Sequence, residues 1–441
     1  MALTGSTPED ELAPRPGLGN RLLGRLRDSL AEPEQVLALL LLAAFAARAV
    51  WLTTPNSLIF DEAYYVNASR VILGWEVPVN GNYRDSSAGI DPNVEHPPLG
   101  KVLMAGSMAV FGDNGLGWRL PSILAGLLAL VALYLIVRAA GESRWLAILA
   151  ATIFAFDNLS LVHGRIGTLD MLVLAPILLA AWAGLRGRWL LAGAFAGLGF
   201  LVKLTALYGL LALLVMAALA ALATWRTEQR MRIGRAEVRP AVSAVAGFLL
   251  VAAAGLWALD ARFTTYANPL DHVRHMLEYG ANLTKPGGPP SLCRNNDSAP
   301  WQWLANDCEM IYFRVTTDTK VDDVIIATRA DIDFRGAMNP ALLGAMAFAI
   351  PFGLWQAIRQ RNRLATWALV WLGASYLPIV ALAFFGHRIT YIYYFLPLVP
   401  ALGALIAAFL LRSGLPRAVL WGYLAAYAFG FAAYFPFRHV P

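Results

Sequence analysis

The amino-acid sequence predicts an all-α polytopic membrane protein, and three observations predict it. Hydrophobic residues make up 58% of the 441 and charged residues 15%, with a mean hydropathy of +0.55. Globular domains average about 45–50% and about 25%, so a water-soluble enzyme would have nowhere to bury this much apolar surface. Apolar runs recur along the chain, most of them near the ~20 residues that a helix needs to cross the hydrocarbon core. Arginines gather in every second connection between those runs, the asymmetry that orients membrane proteins. A disordered, collagenous or small disulfide-stapled chain is excluded by the same composition.

In chain order the predicted spans are 35–53, 117–137, 144–162, 168–185, 189–202, 204–225, 240–260, 340–357, 364–385, 390–411 and 417–435, eleven in all, the fifth of them short. Arg15, Arg21, Arg25 and Arg27 precede the first span, and Arg138 and Arg144 separate the second from the third. Arg186 and Arg188 follow, then the five arginines at 226, 230, 232, 235 and 239, then Arg359, Arg361 and Arg363, and last Arg412 and Arg417. Together these are 18 of the 35 lysines and arginines, all on one side, which places the N-terminus in the cytoplasm and the C-terminus outside. The formal charge of +6 is therefore a topology signal, and nucleic acid is not an expected partner. No P-loop, dinucleotide fingerprint or soluble repeat of fixed period is present.

Residues 1–34 are polar, carry Pro14, Pro16 and Pro33, and read as a cytoplasmic tail with a short basic amphipathic piece near 20–30. The polar stretch is long for a cleaved signal peptide and the apolar run after it is long enough to span. Two long external loops break the pattern, 54–116 and 261–339. In the first, Glu62 to Trp75 is either a helix lying in the membrane interface or one packed on protein. The chain's two cysteines, Cys293 and Cys308, lie 15 residues apart in the second. In an oxidising compartment they close a loop whose constraint stabilises by roughly 3 kcal/mol. They have no CxxC or histidine pattern of a zinc site.

Four clusters carry ionisable chemistry. Asp61 and Glu62 follow the first span directly; an acidic pair beside a membrane face is costly unless solvated, paired or used to accept a proton. Glu95 and His96 precede Pro97 and Pro98, whose fixed φ holds an extended lead-in to the apolar run 102–111, or simply a turn. Asp157, Asn158, His163, Arg165 and Asp170 gather at the external end of spans three and four. An Arg165–Asp170 ion pair is their bland reading. Lys203 interrupts the apolar run 190–214 and Arg388 follows His387, both at the external face. Each is explained singly by snorkelling; both beside an acidic site suit a phosphate, whose oxygens form charge-assisted hydrogen bonds with cations.

Taken together, these residues resemble the protein O-mannosyltransferases that use a dolichyl- or polyprenyl-phosphate sugar, within the GT-C group of membrane glycosyltransferases. The matching stretches are Phe60-Asp61-Glu62, His96-Pro97-Pro98-Leu99-Gly100-Lys101, Gly117-Trp118-Arg119-Leu120-Pro121, and Asp157-Asn158 with Arg165 and Leu169-Asp170. Lys203, Pro300-Trp301-Gln302-Trp303, and Arg388 with Tyr391, Tyr393 and Tyr394 complete the set, which runs through residues 60–397 in the family's order. The histidine–diproline motif is the specific part.

The resemblance implies a GT-C transmembrane catalytic domain over 35–441 and inverting transfer of a sugar, mannose foremost. The donor would be a polyprenyl or dolichyl phosphate and the acceptor the Ser/Thr hydroxyls of exported polypeptides. Asp61 and Glu62 would be the catalytic acids, Asp61 as base; Lys203 and Arg388 would hold the phosphate. Glu95, His96, Arg119, Arg165, Asp170, Trp301, Trp303, Tyr391 and Tyr394 would bind substrate. It fixes no cofactor; a divalent metal stays open, with Glu95 the candidate ligand because related aminoarabinose transferases place an acid before Pro-Pro at a metal site. The implied setting is a bacterial plasma membrane with an external active site. The competing readings are a GT-C transferase modifying a lipid or a cell-envelope glycan, and a transporter or flippase.

Overall fold

The computed structural model describes residues 32–227, 234–285 and 297–438. The first helix is α1 (Pro33–Ala49), and the first external loop folds into α2 (Glu62–Leu73) and α3 (Leu99–Phe111). Then come α4 (Gly115–Ala139), α5 (Arg144–Ala155), the short α6 (Asn158–His163), α7 (Leu169–Leu185), α8 (Trp189–Phe200), α9 (Ala206–Thr227) and α10 (Arg235–Phe263). The second loop holds α11 (Pro269–Asn282) and a hairpin of β1 (Met310–Val321) and β2 (Val324–Gly336). The chain finishes with α12 (Pro340–Arg359), α13 (Arg363–Phe385), a 3-10 turn at Ile392–Leu398, α14 (Val399–Arg412) and α15 (Arg417–Tyr434).

Six apolar stretches among the described residues are long enough to cross a bilayer: Gly115–Ala139, Ala206–Thr224, Ala236–Phe263, Pro340–Arg359, Arg363–Phe385 and Ile392–Arg412. Each coincides with a predicted span. The other five predicted spans are helices of 12 to 18 residues. The third is broken: α5 ends at Ala155, and Asp157, whose carboxylate accepts the Ser160 N–H at 3.1 Å, N-caps a new six-residue helix. An N-capping aspartate stops one helix and starts another because its side chain satisfies an orphan donor. Outward-facing Leu124, Trp257, Phe348, Phe385 and Trp421 are exposed, as expected of side chains that meet lipid.

Helices pack closely where side chains are small. Gly193 and Gly197 on α8 form a small-xxx-small pair against α10; a methyl on Gly193 would lie 1.8 Å from the Ala244 carbonyl oxygen. That contact seats the end of α8, and the Lys203 turn beyond it, against the bundle.

The basic connections meet on one face. Glu142 accepts from Asn362 Nδ2 at 3.0 Å and from Arg412 Nη1 at 2.8 Å. Arg363 donates to Leu185 O at 2.7 Å, and Arg144 pairs with Glu34 at 2.7 Å. The two long loops meet on the opposite face, where His272 Nε2 bonds the Val94 carbonyl at 2.9 Å. Ile332 on β2 bridges to Phe437, so the C-terminal segment lies with these loops.

The structure corrects the sequence reading at two further points and decides between the alternatives at a third. The all-α expectation misses the β1–β2 hairpin, which pairs antiparallel around Asp322 and Asp323, both at positive φ (51° and 62°), the geometry of a two-residue hairpin turn. Residues Glu62–Leu73 do form a helix, but Tyr65, Val66 and Asn67 to Ile72 are buried, so it packs on protein. Pro98 has helical dihedrals (φ −71°, ψ −22°) and caps α3, so the extended lead-in stops before it. Cys308 is buried and disulfide-bonded; its expected partner Cys293 lies outside the described residues, as do most of the 1–34 tail and the basic stretch 228–233.

Candidate active site

A cavity of about 520 Å³ opens where α2, the 91–98 turn, the α8–α9 turn, α11 and the segment before the 3-10 turn converge. Of the residues singled out in the sequence, Asp61, Glu95, His96, Lys203, Arg388, Tyr391 and Tyr394 line it. Asp61 sits at the N-terminus of α2, directly after Phe60, whose φ is +54°. A bulky residue rarely adopts that conformation, and holding it costs about 1–3 kcal/mol. The Phe60 ring is stacked on Tyr312 at 4.6 Å and edge-on to Tyr393 at 5.6 Å, which fixes the turn that presents Asp61 to the cavity.

Burial pushes the Asp61 carboxyl up to about 7, with the positive charge of Lys203 opposing and the negative charge of Asp170 adding. Burial, aided by Lys203 and Lys101, pushes His96 well below its ordinary value, so it is a neutral imidazole, and its Nδ1 has no partner among the described residues.

Lys203 Nζ bonds Asp170 Oδ1 at 2.8 Å and lies 5.4 Å from the Tyr393 ring centre. Asp170 in turn faces His163 Nδ1 at 3.2 Å, and His163 Nε2 meets the Tyr312 hydroxyl at 2.9 Å. The expected Arg165–Asp170 pair is therefore not formed. Arg165 donates to Val50 O at 2.8 Å, and its guanidinium lies over the rings of Phe334 (5.3 Å) and Phe437 (4.7 Å), away from the cavity. Arg388 reaches the cavity and also donates to the Gly280 carbonyl, tying the segment before the 3-10 turn to α11. Behind the 91–98 turn, Lys101 and Asp91 form a fully buried pair at 2.7 Å, and Lys101 also donates to His96 O at 2.8 Å. This is what the lysine of the diproline motif does: it holds the turn so that Glu95 and His96 face the cavity.

Glu62 departs from its expected catalytic role. It is fully buried and absent from the cavity wall. It accepts four hydrogen bonds: from Ile59 N (2.8 Å), Arg119 Nε (2.8 Å), Arg119 Nη2 (2.9 Å) and Gly167 N (2.7 Å). A carboxylate has about four lone-pair sites, so none is left for substrate. Arg119 is equally occupied, donating also to Leu52 O, Pro55 O and Ser57 O. The pair stitches residues 52–62 to Gly167, where a side chain would collide with Trp118 O at 2.9 Å. Arg119 is thus a positioning residue.

The two tryptophans also lie off the cavity. Trp303 is fully buried, donates to Ser298 Oγ at 2.8 Å and packs edge-on behind Tyr394 at 6.4 Å. Trp301 is 47% exposed. Glu95 lines the cavity and accepts from Asn93 Nδ2 at 2.7 Å, but no group of three or more His, Cys, Asp or Glu among the described residues suits a metal ion.

Sequence reasoning missed Tyr83, Asn93, Met276, Tyr279 and Met310, all on the cavity wall, and placed Tyr64 and Tyr65 only on a helix packed on the membrane interface or on protein. Both tyrosines fall three and four residues after Asp61, the helical spacing that shares a face. Asn268-Pro269, a cap followed by proline at the first helical position, signals the helix that brings Met276 and Tyr279.

The fold is that of the GT-C class of membrane glycosyltransferases. The bundle is similar to that of the S. cerevisiae protein O-mannosyltransferase Pmt1-Pmt2 complex bound to the sugar donor (TM-score 0.65, 13% identity, 92% of this chain and 90% of that one). It is similar also to ArnT from Cupriavidus metallidurans bound to undecaprenyl phosphate (TM-score 0.55, 19% identity), of which it covers 63%. Residues 95–257 match the family model of dolichyl-phosphate-mannose-protein mannosyltransferases. The chain is 26% identical over 412 residues to the polyprenol-phosphate-mannose–protein mannosyltransferase of Corynebacterium glutamicum, covering 79% of this chain and 76% of that one. It is 34% identical over 120 residues to the Mycobacterium tuberculosis enzyme of that name, a match spanning 22% of the relative. In sequence the chain is thus similar to the protein O-mannosyltransferases, and in fold to the GT-C class.

Proposed function

We propose that the protein transfers mannose from a polyprenyl-phosphate donor to Ser/Thr hydroxyls of exported polypeptides at the external face of a bacterial plasma membrane. The observation that carries this reading is the cavity itself. Two carboxylates, Asp61 and Glu95, share it with two cations, Lys203 and Arg388, beneath a wall of tyrosines. In this reading the acceptor hydroxyl oxygen bonds to the sugar's anomeric carbon as its proton passes to Asp61. The bond from that carbon to the phosphate oxygen breaks, and the electron pair leaves on the polyprenyl phosphate with inversion. A phosphate is a good leaving group without protonation, and Lys203 and Arg388 stabilise its charge. His96, neutral and with a free ring nitrogen, and Glu95 suit the sugar hydroxyls. The deciding experiment incubates purified protein with radiolabelled polyprenyl-phosphate mannose and a Ser/Thr-rich peptide. Label in the peptide is the expected result; label only in a lipid or glycan acceptor overturns the acceptor class, and donor left intact overturns the transferase reading.

The same reading fixes a pH profile. Asp61 must be deprotonated to accept the proton, and its carboxyl is pushed up to about 7 by burial. kcat/KM is expected to rise with pH, about tenfold per unit below 7, and to level off above it. A flat profile between pH 5.5 and 8 would count against a base of this kind. In the proposed orientation the basic stretch 226–239 faces the cytoplasm. A cysteine introduced as Thr227→Cys is expected to react with an impermeant maleimide only from the cytoplasmic side, and one at Ser87→Cys only from outside. Reversed labelling inverts the topology.

A further inference from the structure

We propose that the face opposite the active site carries a binding site for an anionic glycerophospholipid, between α7, α8, α9 and α13. A cavity of about 270 Å³ lies there, and it shares no lining residue with the active-site cavity. Its body is apolar, walled by Met216, Leu219, Trp367 and Trp371, and Arg361 and Arg363 stand at its polar end.

Three features specify the ligand. Arg361 and Arg363 have no carboxylate partner among the described residues, where the one hydrogen bond of either is from Arg363 to Leu185 O at 2.7 Å. Two guanidinium groups on one cavity suit a phosphodiester, which accepts charge-assisted hydrogen bonds. Trp367 is only 2% exposed, yet its indole N–H has no acceptor among the described residues, whereas that of its neighbour Trp371 donates to Pro397 O at 2.7 Å. Buried donors are almost always satisfied, and Trp367 lines the cavity, so an acceptor entering there is the proposed partner of its N–H.

The order of these groups then selects among lipids. Arg363, Trp367 and Trp371 are four residues apart and share a face of α13, so at 1.5 Å per residue they lie about 6 Å and about 12 Å along it. Anion site, single hydrogen-bond donor and apolar slot therefore follow one another inward. A glycerophospholipid presents phosphate, ester carbonyl and acyl chain in that order. A polyprenyl phosphate has no carbonyl to offer the indole. Arginines in cytoplasmic connections are common for topological reasons, but topology does not account for the unpaired indole. Basic pockets between helices on this side of a membrane are the setting in which lipid head groups bind.

Native mass spectrometry of the purified full chain in detergent tests the site, with phosphatidylglycerol, phosphatidylcholine and a polyprenyl phosphate as probes. Wild type is expected to retain phosphatidylglycerol in preference to phosphatidylcholine. Arg361→Gln, which breaks no hydrogen bond among the described residues, is expected to weaken retention about fivefold, and Arg361→Gln with Arg363→Gln about thirtyfold. Trp367→Phe keeps the ring and removes the N–H, and is expected to weaken retention several-fold while leaving the protein folded. Equal retention of the two phospholipids, or unchanged retention in Arg361→Gln, would overturn the proposal. So would displacement of phosphatidylglycerol by the polyprenyl phosphate at equal concentration. None of these outcomes bears on the transferase reading.

Discussion

Asp61→Asn is expected to lower kcat by about 10²–10⁴-fold, which is roughly 3–5 kcal/mol of transition-state stabilisation. Asparagine keeps the shape of the side chain and the turn set by Phe60 but cannot take the acceptor's proton. Lys203 and Arg388 are untouched, so the phosphate end of the donor keeps both cations, and removing a neighbouring negative charge leaves Lys203 freer to bind it. Donor affinity should therefore be unchanged or improved while turnover collapses. The measurement is a single-turnover rate together with equilibrium donor binding, on protein matched for folded fraction. Turnover equal to wild type would remove Asp61 from the base role, and loss of donor binding in step with rate would make it a binding residue.

The outline of this molecule is legible in its sequence because a bilayer imposes simple rules. Apolar length and arginine asymmetry report spans and sides directly, and the six longest apolar helices coincide with predicted spans. The break at Asp157 is less legible, since the residues on both sides are apolar and only the capping aspartate marks it. The hairpin's signal, β-branched residues around Asp322-Asp323, is local and polar and leaves no mark on a hydropathy pattern. In the site, the sequence identified charged residues and could not say which way each one faces. Asp61 and Glu62 are adjacent, yet the first lines the cavity and the second is enclosed by Arg119 and two backbone amides. Arg165 likewise bonds carbonyls at the end of α1, 115 residues away in the chain. Facing is set by tertiary partners, and a motif records only that a residue is needed.

Glu62 provides the test of that distinction. The Glu62–Arg119 pair is fully buried, and its two side chains satisfy the Leu52–Ser57 carbonyls and the Ile59 and Gly167 amides between them. Removing one partner of a buried ion pair leaves an uncompensated charge, at a cost of about 3–5 kcal/mol. Glu62→Gln keeps the size but replaces a carboxylate that accepts four hydrogen bonds with an amide whose NH₂ must face donors. It is therefore expected to lower stability by about that much, seen as a lower thermal midpoint and a smaller monodisperse fraction in detergent. Arg119→Met should do the same, and the two together should cost less than the sum of the singles, because neither charge is then left without its partner. Activity should fall mainly with the folded fraction, since Glu62 has no acceptor site left for a substrate proton. A Glu62→Gln protein with wild-type thermal stability and a kcat reduced a hundredfold would instead return Glu62 to the chemistry, acting through an arrangement in which it leaves Arg119.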